Sequence, residues 1–304
     1  MKNKIVLVTG GTSGIGKEIV TELIATGCKV ITCYSNNEEN AKDLEREINN
    51  ENLLVLKCDV SNEEQVIAMF KEIKERFGKL DYLVNNAGTF IDNFIKDFSI
   101  DDFKKVLDIN LLGKVICTKH AYPIMNDGGS IVNISSHLGV VPCTESPAYC
   151  AAAAGIINFT KATALEFADR KIRANSICPA FTPTPLALRG WKQEEIDQKL
   201  KETPLGRFAT PEDTAKLCLF LLSDDSSFIT GENIWLNGGR LWKKYICNYL
   251  LENYNGKHIT IIAHKAPQLA FQVLTQGKTW EEAINQDWRK TKSWQPGWEY
   301  IINE

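Results

Sequence analysis

The stretch "KIVLVTGGTSGIGKEIV", residues 4–20, decides how this chain folds. An unbroken apolar run, Ile5–Val8, leads into Thr9 and a glycine-rich turn, after which Ile15, Ile19 and Val20 return at helical spacing. A strand without polar alternation is buried on both faces, as in a parallel sheet covered by helices. Gly10, Gly14 and Gly16 permit a tight turn, close approach of backbone to a pyrophosphate, and packing of the following helix on the strand. The helix then presents free N–H groups and its positive dipole end to the phosphates.

The same alternation continues outward. "KVITCY", "LLVLKC", "LDYLVNN", "GGSIVNIS", "IRANSIC" and "ENIWLNGG" read as six further strands. Between them lie helical patterns, among them one long helix expected over 101–126 and another over 149–168. Strand–helix repetition implies right-handed parallel crossovers, so the expected fold is α/β, a Rossmann-type doubly wound parallel sheet of about seven strands. After "LNGGR" the character changes, and four of the seven tryptophans fall beyond residue 279. The expected organisation is a nucleotide-binding domain over 1–240 with a small α/β appendage over 241–304.

Composition narrows the function. A net charge of −3 and a pI near 5.9 provide no basic stripe for nucleic acid, and no apolar run approaches membrane-spanning length. The apolar run near Met1 is too short for a signal peptide, so a cytoplasmic location is expected. Nine cysteines lie singly, without a Cys-x-x-Cys or Cys/His cluster, and read as free thiols with no metal site.

Further motifs arrive in a fixed order: "TGGTSGIG" (9–16), "CDV" (58–60), "NNAG" (85–88), "NLLG" (110–113), "NISS" (133–136), "YCAAA" (149–153) and "CPAFTPT" (178–184). In this order they resemble the short-chain dehydrogenase/reductase family, and most closely the reductases similar to 3-oxoacyl-carrier-protein reductase, over residues 3–241. The resemblance implies hydride transfer between a nicotinamide coenzyme and a carbonyl or alcohol carbon of a small molecule. It implies that Tyr149 gives or takes the proton, that Ser136, thirteen residues earlier, holds and polarises the substrate oxygen, and that Asn110 holds a water in a proton relay. It places the coenzyme against Gly10, Thr12, Ser13, Gly14, Ile15 and Gly16, then Asp59 and Val60 at the adenine, then Asn86, Ala87 and Gly88, and finally Pro179, Ala180, Thr182 and Thr184. It also implies a homodimer or homotetramer.

One position departs from that pattern. The family's lysine, four residues after the tyrosine, is here Ala153. A neighbouring ammonium favours the phenolate over a free tyrosine's pKa of about 10, so its loss implies a rate lower by a factor on the order of 10²–10⁴. Lys161, Lys171 and Arg173 are not spaced to replace it. The alternative reading is therefore a coenzyme-binding sensor or assembly protein without turnover.

At the end of the second strand Tyr34, Ser35 and Asn36 carry no carboxylate for a ribose 2′-OH, which favours NADP and leaves NAD possible. The loop and helix over 182–204 are expected to form a lid over the substrate. His137 follows Ser136, but adjacent strand residues point to opposite faces and no G-x-S-x-G elbow is present, which argues against a hydrolase. Beyond residue 241, "HITIIAHKAPQLAFQVL" and the run after it resemble the C-terminal part of a histidine phosphatase of the phosphoglycerate-mutase-like family. That family's "RHG" is absent, so a structural role is expected for His264.

Overall fold

The computed structural model describes residues 1–188 and 192–240. Seven strands form one fully parallel sheet: β1 Ile5–Thr9, β2 Lys29–Tyr34, β3 Leu53–Lys57, β4 Leu80–Asn85, β5 Met125–Ile134, β6 Arg173–Pro179 and β7 Asn233–Leu236. Their order is β3-β2-β1-β4-β5-β6-β7. The helices are α1 Gly14–Ala25, α2 Glu38–Ile48, α3 Glu63–Phe77, α4 Ile100–Leu107, α5 Gly113–Ala121, α6 Pro147–Glu166, α7 Gln193–Lys201 and α8 Pro211–Leu222.

Successive strand residues feed opposite faces of the sheet. Val6 and Val8 join Ile19, Leu23, Leu44, Cys218 and Leu221 from α1, α2 and α8. Leu7, between them, joins Val66, Ile73, Ile116 and Cys117 from α3 and α5. Both faces are therefore covered, which is why the strands read as apolar runs.

Two expectations need correction. The helix expected over 101–126 is broken: α4 gives way to a π-helical turn at Asp108–Leu112, then α5, then a 3-10 turn at Tyr122–Ile124. β5 begins at Met125, ahead of the glycine pair, with its register against β4 shifting between Leu80 and Tyr82. α6 starts at Pro147, because proline is suited to a first helical position, where its missing N–H costs nothing.

The described residues fall into two compact units. The first comprises 1–193 and 208–237 and holds the sheet. The second includes 194–207 and 238–240, where Arg240 pairs with Glu202 at 2.5 Å and Leu205 N donates to Gly238 O at 3.2 Å. The segment expected to form a lid is thus divided between the units. No described helix is long and apolar enough to cross a membrane. The histidine-phosphatase-like stretch, with His264, lies outside the described residues.

Candidate active site

In a parallel sheet every strand's C-terminal end opens on the same edge, and the strand order reverses between β1 and β4. The glycine turn follows β1 and "NNAG" follows β4, so the two meet at this switch point. Thr9 Oγ1 accepts from the backbone N–H of both Asn86 and Ala87 at 3.0 Å. The Asn86 amide donates back to the carbonyls of Thr9, at 3.1 Å, and Gly10, at 3.0 Å.

The glycines are there because nothing larger fits. A Cβ on Gly16 would lie 2.3 Å from the Gly10 carbonyl oxygen, and one on Gly10, whose φ is +65°, would lie 2.9 Å from the Ala87 Cα. Helices α2, α3, α4 and α8 are capped by side-chain oxygens and carry acids in their first turn. α1 has neither: its cap residue Ser13 makes no side-chain capping bond and its first turn holds no acid. α6 lacks both as well, but α1 begins in a glycine loop where added Cβ atoms would collide, so the residues present fit the pyrophosphate of a dinucleotide. Thr184 lies against this loop, 3.4 Å from where a Gly14 Cβ would be.

The remaining coenzyme candidates sit on the same edge. Tyr34 closes β2, and Ser35 is half-buried beyond it. Asp59 accepts from Ser61 N and Oγ at 3.0 and 2.7 Å, and Val60 packs where a Gly113 Cβ would be, at 2.8 Å. Pro179 ends β6 with its carbonyl 3.1 Å from His137 Nδ1, Ala180 N donates to Leu236 O at 2.9 Å, and Thr182 is buried. A carbonyl only accepts, so Nδ1 carries the proton and His137 turns toward Pro179.

At the end of β5 the two serines divide their work. Ser135 Oγ donates to the Ala153 carbonyl at 3.0 Å and ties α6 to the sheet. Ser136 Oγ accepts from Leu138 N at 3.1 Å and interacts with the Tyr149 hydroxyl. Burial pushes the Tyr149 phenol above its ordinary value, and the Ser136 hydrogen bond opposes that rise. Phe90 packs edge-on against the Tyr149 ring, centroids 5.1 Å apart. Ala153, one turn on, is buried at 6% exposure and brings no charge.

Asn110 is tied to the segment that follows β4. Its side chain is fully engaged with the Thr89 backbone, Oδ1 accepting from N–H and Nδ2 donating to the carbonyl, each at 2.7 Å. It sits in the π-helical turn Asp108–Leu112. Of the other cations, Lys161 and Lys171 are exposed, and Arg173 is spent on α8, donating to Leu221 O at 2.8 Å. No described group of His, Cys, Asp or Glu could hold a metal.

Sequence reasoning missed Thr89, Phe90, Ser135 and Lys114. Lys114 had one readable signal: it follows Asn110 by four residues, hence on the same helical face, within an apolar run.

Known proteins are similar to this chain over most of its length. The sequence model of the enoyl-(acyl carrier protein) reductase family matches residues 10–240. The chain is 36% identical over 240 residues to 3-oxoacyl-(acyl-carrier-protein) reductase FabG of Staphylococcus aureus, covering 78% of this chain and 97% of the relative. It is 34% identical over 239 residues to an NAD-dependent glycerol dehydrogenase of Listeria innocua, covering 78% and 93% respectively. Among solved structures it is similar to a mutant form of a short-chain dehydrogenase/reductase of Serratia marcescens. That match has a TM-score of 0.74 at 26% identity and covers 79% of this chain and 98% of that one.

Proposed function

Because the chain belongs to the short-chain dehydrogenase/reductase family, across residues 10–240, we propose that it is an NADP(H)-dependent oxidoreductase that reduces a small carbonyl compound to an alcohol, or runs the reverse reaction. The observation that carries this reading is the glycine loop after β1, where a Cβ on Gly10 or Gly16 would collide with its neighbours and which is bound by Asn86 at the switch point of the sheet, with Ser136 near enough to Tyr149 to hold its phenol down. The coenzyme, when bound, supplies or accepts the hydride. Ser136 holds the substrate oxygen by a hydrogen bond, and the Tyr149 hydroxyl protonates that oxygen in reduction and takes its proton in oxidation. Phe90 fixes the plane of the Tyr149 ring, and the Ser135 bond to Ala153 O fixes the helix that carries it. Because burial holds Tyr149 above its ordinary value, its hydroxyl stays protonated at neutral pH and is a poor base there.

Oxidation of NADPH with a panel of ketones and quinones, followed beside coenzyme binding by fluorescence, tests this. A second reading, a coenzyme-binding sensor without turnover, is favoured by Ala153 alone. Tight binding with no oxidation across the panel would select it, and absence of both would end the proposal.

NADP is preferred over NAD because the end of β2 presents Tyr34, Ser35 and Asn36 and no carboxylate to repel a 2′-phosphate. Ser35→Asp should weaken NADPH binding by about tenfold or more while leaving NADH within a few-fold, since like charge against phosphate costs more than a lost hydroxyl contact. Equal effects on both coenzymes would show that Ser35 does not face the ribose.

Residues 1–240 are proposed to form the coenzyme-binding domain and 241–304 a structural appendage resembling part of a histidine phosphatase, the whole assembling as a homodimer or homotetramer in the cytoplasm. Deleting residues 243–304 should leave NADPH affinity within about twofold, since every residue assigned to the coenzyme lies before residue 185. A larger loss, measured by fluorescence titration on the soluble truncated chain, would place part of the site in the appendage.

A further inference from the structure

Lys114 is the one described lysine that is buried, at 5% exposure, and it makes no ion pair among the described residues. Its Nζ donates to the Asn85 carbonyl at 3.1 Å and to the Ala87 carbonyl at 2.7 Å, both in the turn that closes against the glycine loop. We propose that Lys114 is a positioning residue for the coenzyme, holding the 85–88 turn from beneath and coupling coenzyme binding to the uptake of one proton. The proposal rests on the reading that the chain binds a nicotinamide dinucleotide.

The mechanical part follows from contact. Ala87 has its Cα 2.9 Å from where a Gly10 Cβ would be, and Asn86 grips the Thr9 and Gly10 carbonyls. Whatever holds Asn85 and Ala87 therefore holds the glycine loop. Lys114 satisfies both carbonyls at once, and as an ammonium it does so with charge-assisted bonds stronger than an amine's.

The electrostatic part follows from burial without a counter-charge. Desolvation pulls Lys114 down to about 7, so near neutrality the site passes between amine and ammonium. The thiols and the phenol on neighbouring elements stay neutral there. On α5, Cys117 is pushed upward by burial, and on the segment after β3, Cys58 is also pushed up, first by its hydrogen bond with Cys33 and then by burial. Beside Cys58, Asp59 is held by Ser61, and at the far end of β4, Asp81 is paired with Lys4 at 3.0 Å. At the start of α6, burial raises Tyr149 and Cys150.

A coenzyme brings two pyrophosphate charges to the loop that the 85–88 turn supports, and a bound anion favours the ammonium. Lys114 then titrates higher in the complex than in the free protein. Between those two values binding takes up a proton, so affinity is greatest where the ammonium is already present and falls as pH rises.

The test is calorimetric titration of the full chain with NADPH from pH 6.5 to 8.5 in two buffers of different ionisation enthalpy, repeated on Lys114→Met and Lys114→Arg. The full chain is expected to take up a substantial fraction of a proton per NADPH near pH 8 and to lose about tenfold in affinity across the range, from roughly one pKa unit of coupling. Arginine stays charged and methionine never is, so each variant should show no Lys114-linked uptake, with Lys114→Arg binding more tightly than the full chain at pH 8.5. The coenzyme's own 2′-phosphate titrates in all three proteins and cancels in the comparison. No proton uptake by the full chain, or equal uptake in either folded variant, would overturn the role of Lys114 while leaving the coenzyme reading intact. Failure of the full chain to bind NADPH or NADH at any pH would overturn that reading and this one together.

Discussion

Ala153→Lys is expected to raise the rate of alcohol oxidation at neutral pH by about two decades or more and to tighten coenzyme binding. Position 153 lies one helical turn after Tyr149, on the same face of α6, so a lysine there reaches toward the phenol oxygen. Oxidation needs the phenolate, and Tyr149 is held above its ordinary value by burial, with only the Ser136 hydrogen bond opposing. Below that value the ionised fraction rises tenfold per pH unit, so an ammonium that lowers the phenol by about two units multiplies the active form at pH 7 by about a hundred. The present chain should accordingly show an oxidation rate that keeps climbing with pH past 9, and the variant should level off earlier. Reduction should gain in proportion, because a phenol lowered by the ammonium is also a stronger acid and the ratio of the two kcat/KM values at one pH is fixed by the equilibrium constant. A rate and a pH profile that do not move on substrates the chain already turns over would mean that the proton comes from another group.

Why that helix could be read in advance, while its neighbours in space could not, has a physical basis. All seven strands were legible because strands covered on both faces lose polar alternation, as in "IVLVT" and "LDYLVN". The glycine turn, "NNAG" and the Ser136–Tyr149 pair were legible because each depends on spacing along one segment or on an order of segments. The break in the helix over 101–126 was not, since a π turn changes no residue type and the Thr89 backbone that Asn110 meets there lies 21 residues away in sequence. The start of β5 was not legible either, since Asn126 and Asp127 continue no apolar run, and the sequence shows the strand only from Gly128 onward although it begins at Met125. Lys114 illustrates the limit best. Its place within 101–126 suggested only a helix, and its meaning comes from the β1–β4 neighbourhood that puts Asn85 and Ala87 above it. Contacts of this kind follow from strand order, which no local pattern encodes.

The same neighbourhood sets the second large effect. Gly16→Ala should lower coenzyme affinity by a hundredfold or more, an amount that the usual difference between glycine and alanine in a helix would not suggest. In an exposed helix that exchange stabilises by about 1 kcal/mol. Here the new Cβ would meet the Gly10 carbonyl oxygen at 2.3 Å and the Asn86 Nδ2 at 2.4 Å, both inside any permitted contact. The obstacle is backbone on one side and a side chain held by two hydrogen bonds on the other, so neither can rotate away cheaply. To admit the methyl group, α1 must retreat from the turn or Asn86 must release Thr9 and Gly10. Either movement takes the free amides of α1 off the line on which a pyrophosphate would be held, and also leaves buried carbonyls unpaired at about 1–3 kcal/mol each. Gly78→Ala supplies the contrast. Gly78 has φ +77° and nothing within 4 Å of its added Cβ, so its replacement strains the backbone by roughly 1–2 kcal/mol without touching the loop. Gly78→Ala should therefore lower the Tm while leaving NADPH affinity unchanged, and Gly16→Ala should lower both. If fluorescence titration found the two variants binding NADPH equally well, the glycine loop would be a structural turn and the phosphates would have to bind elsewhere.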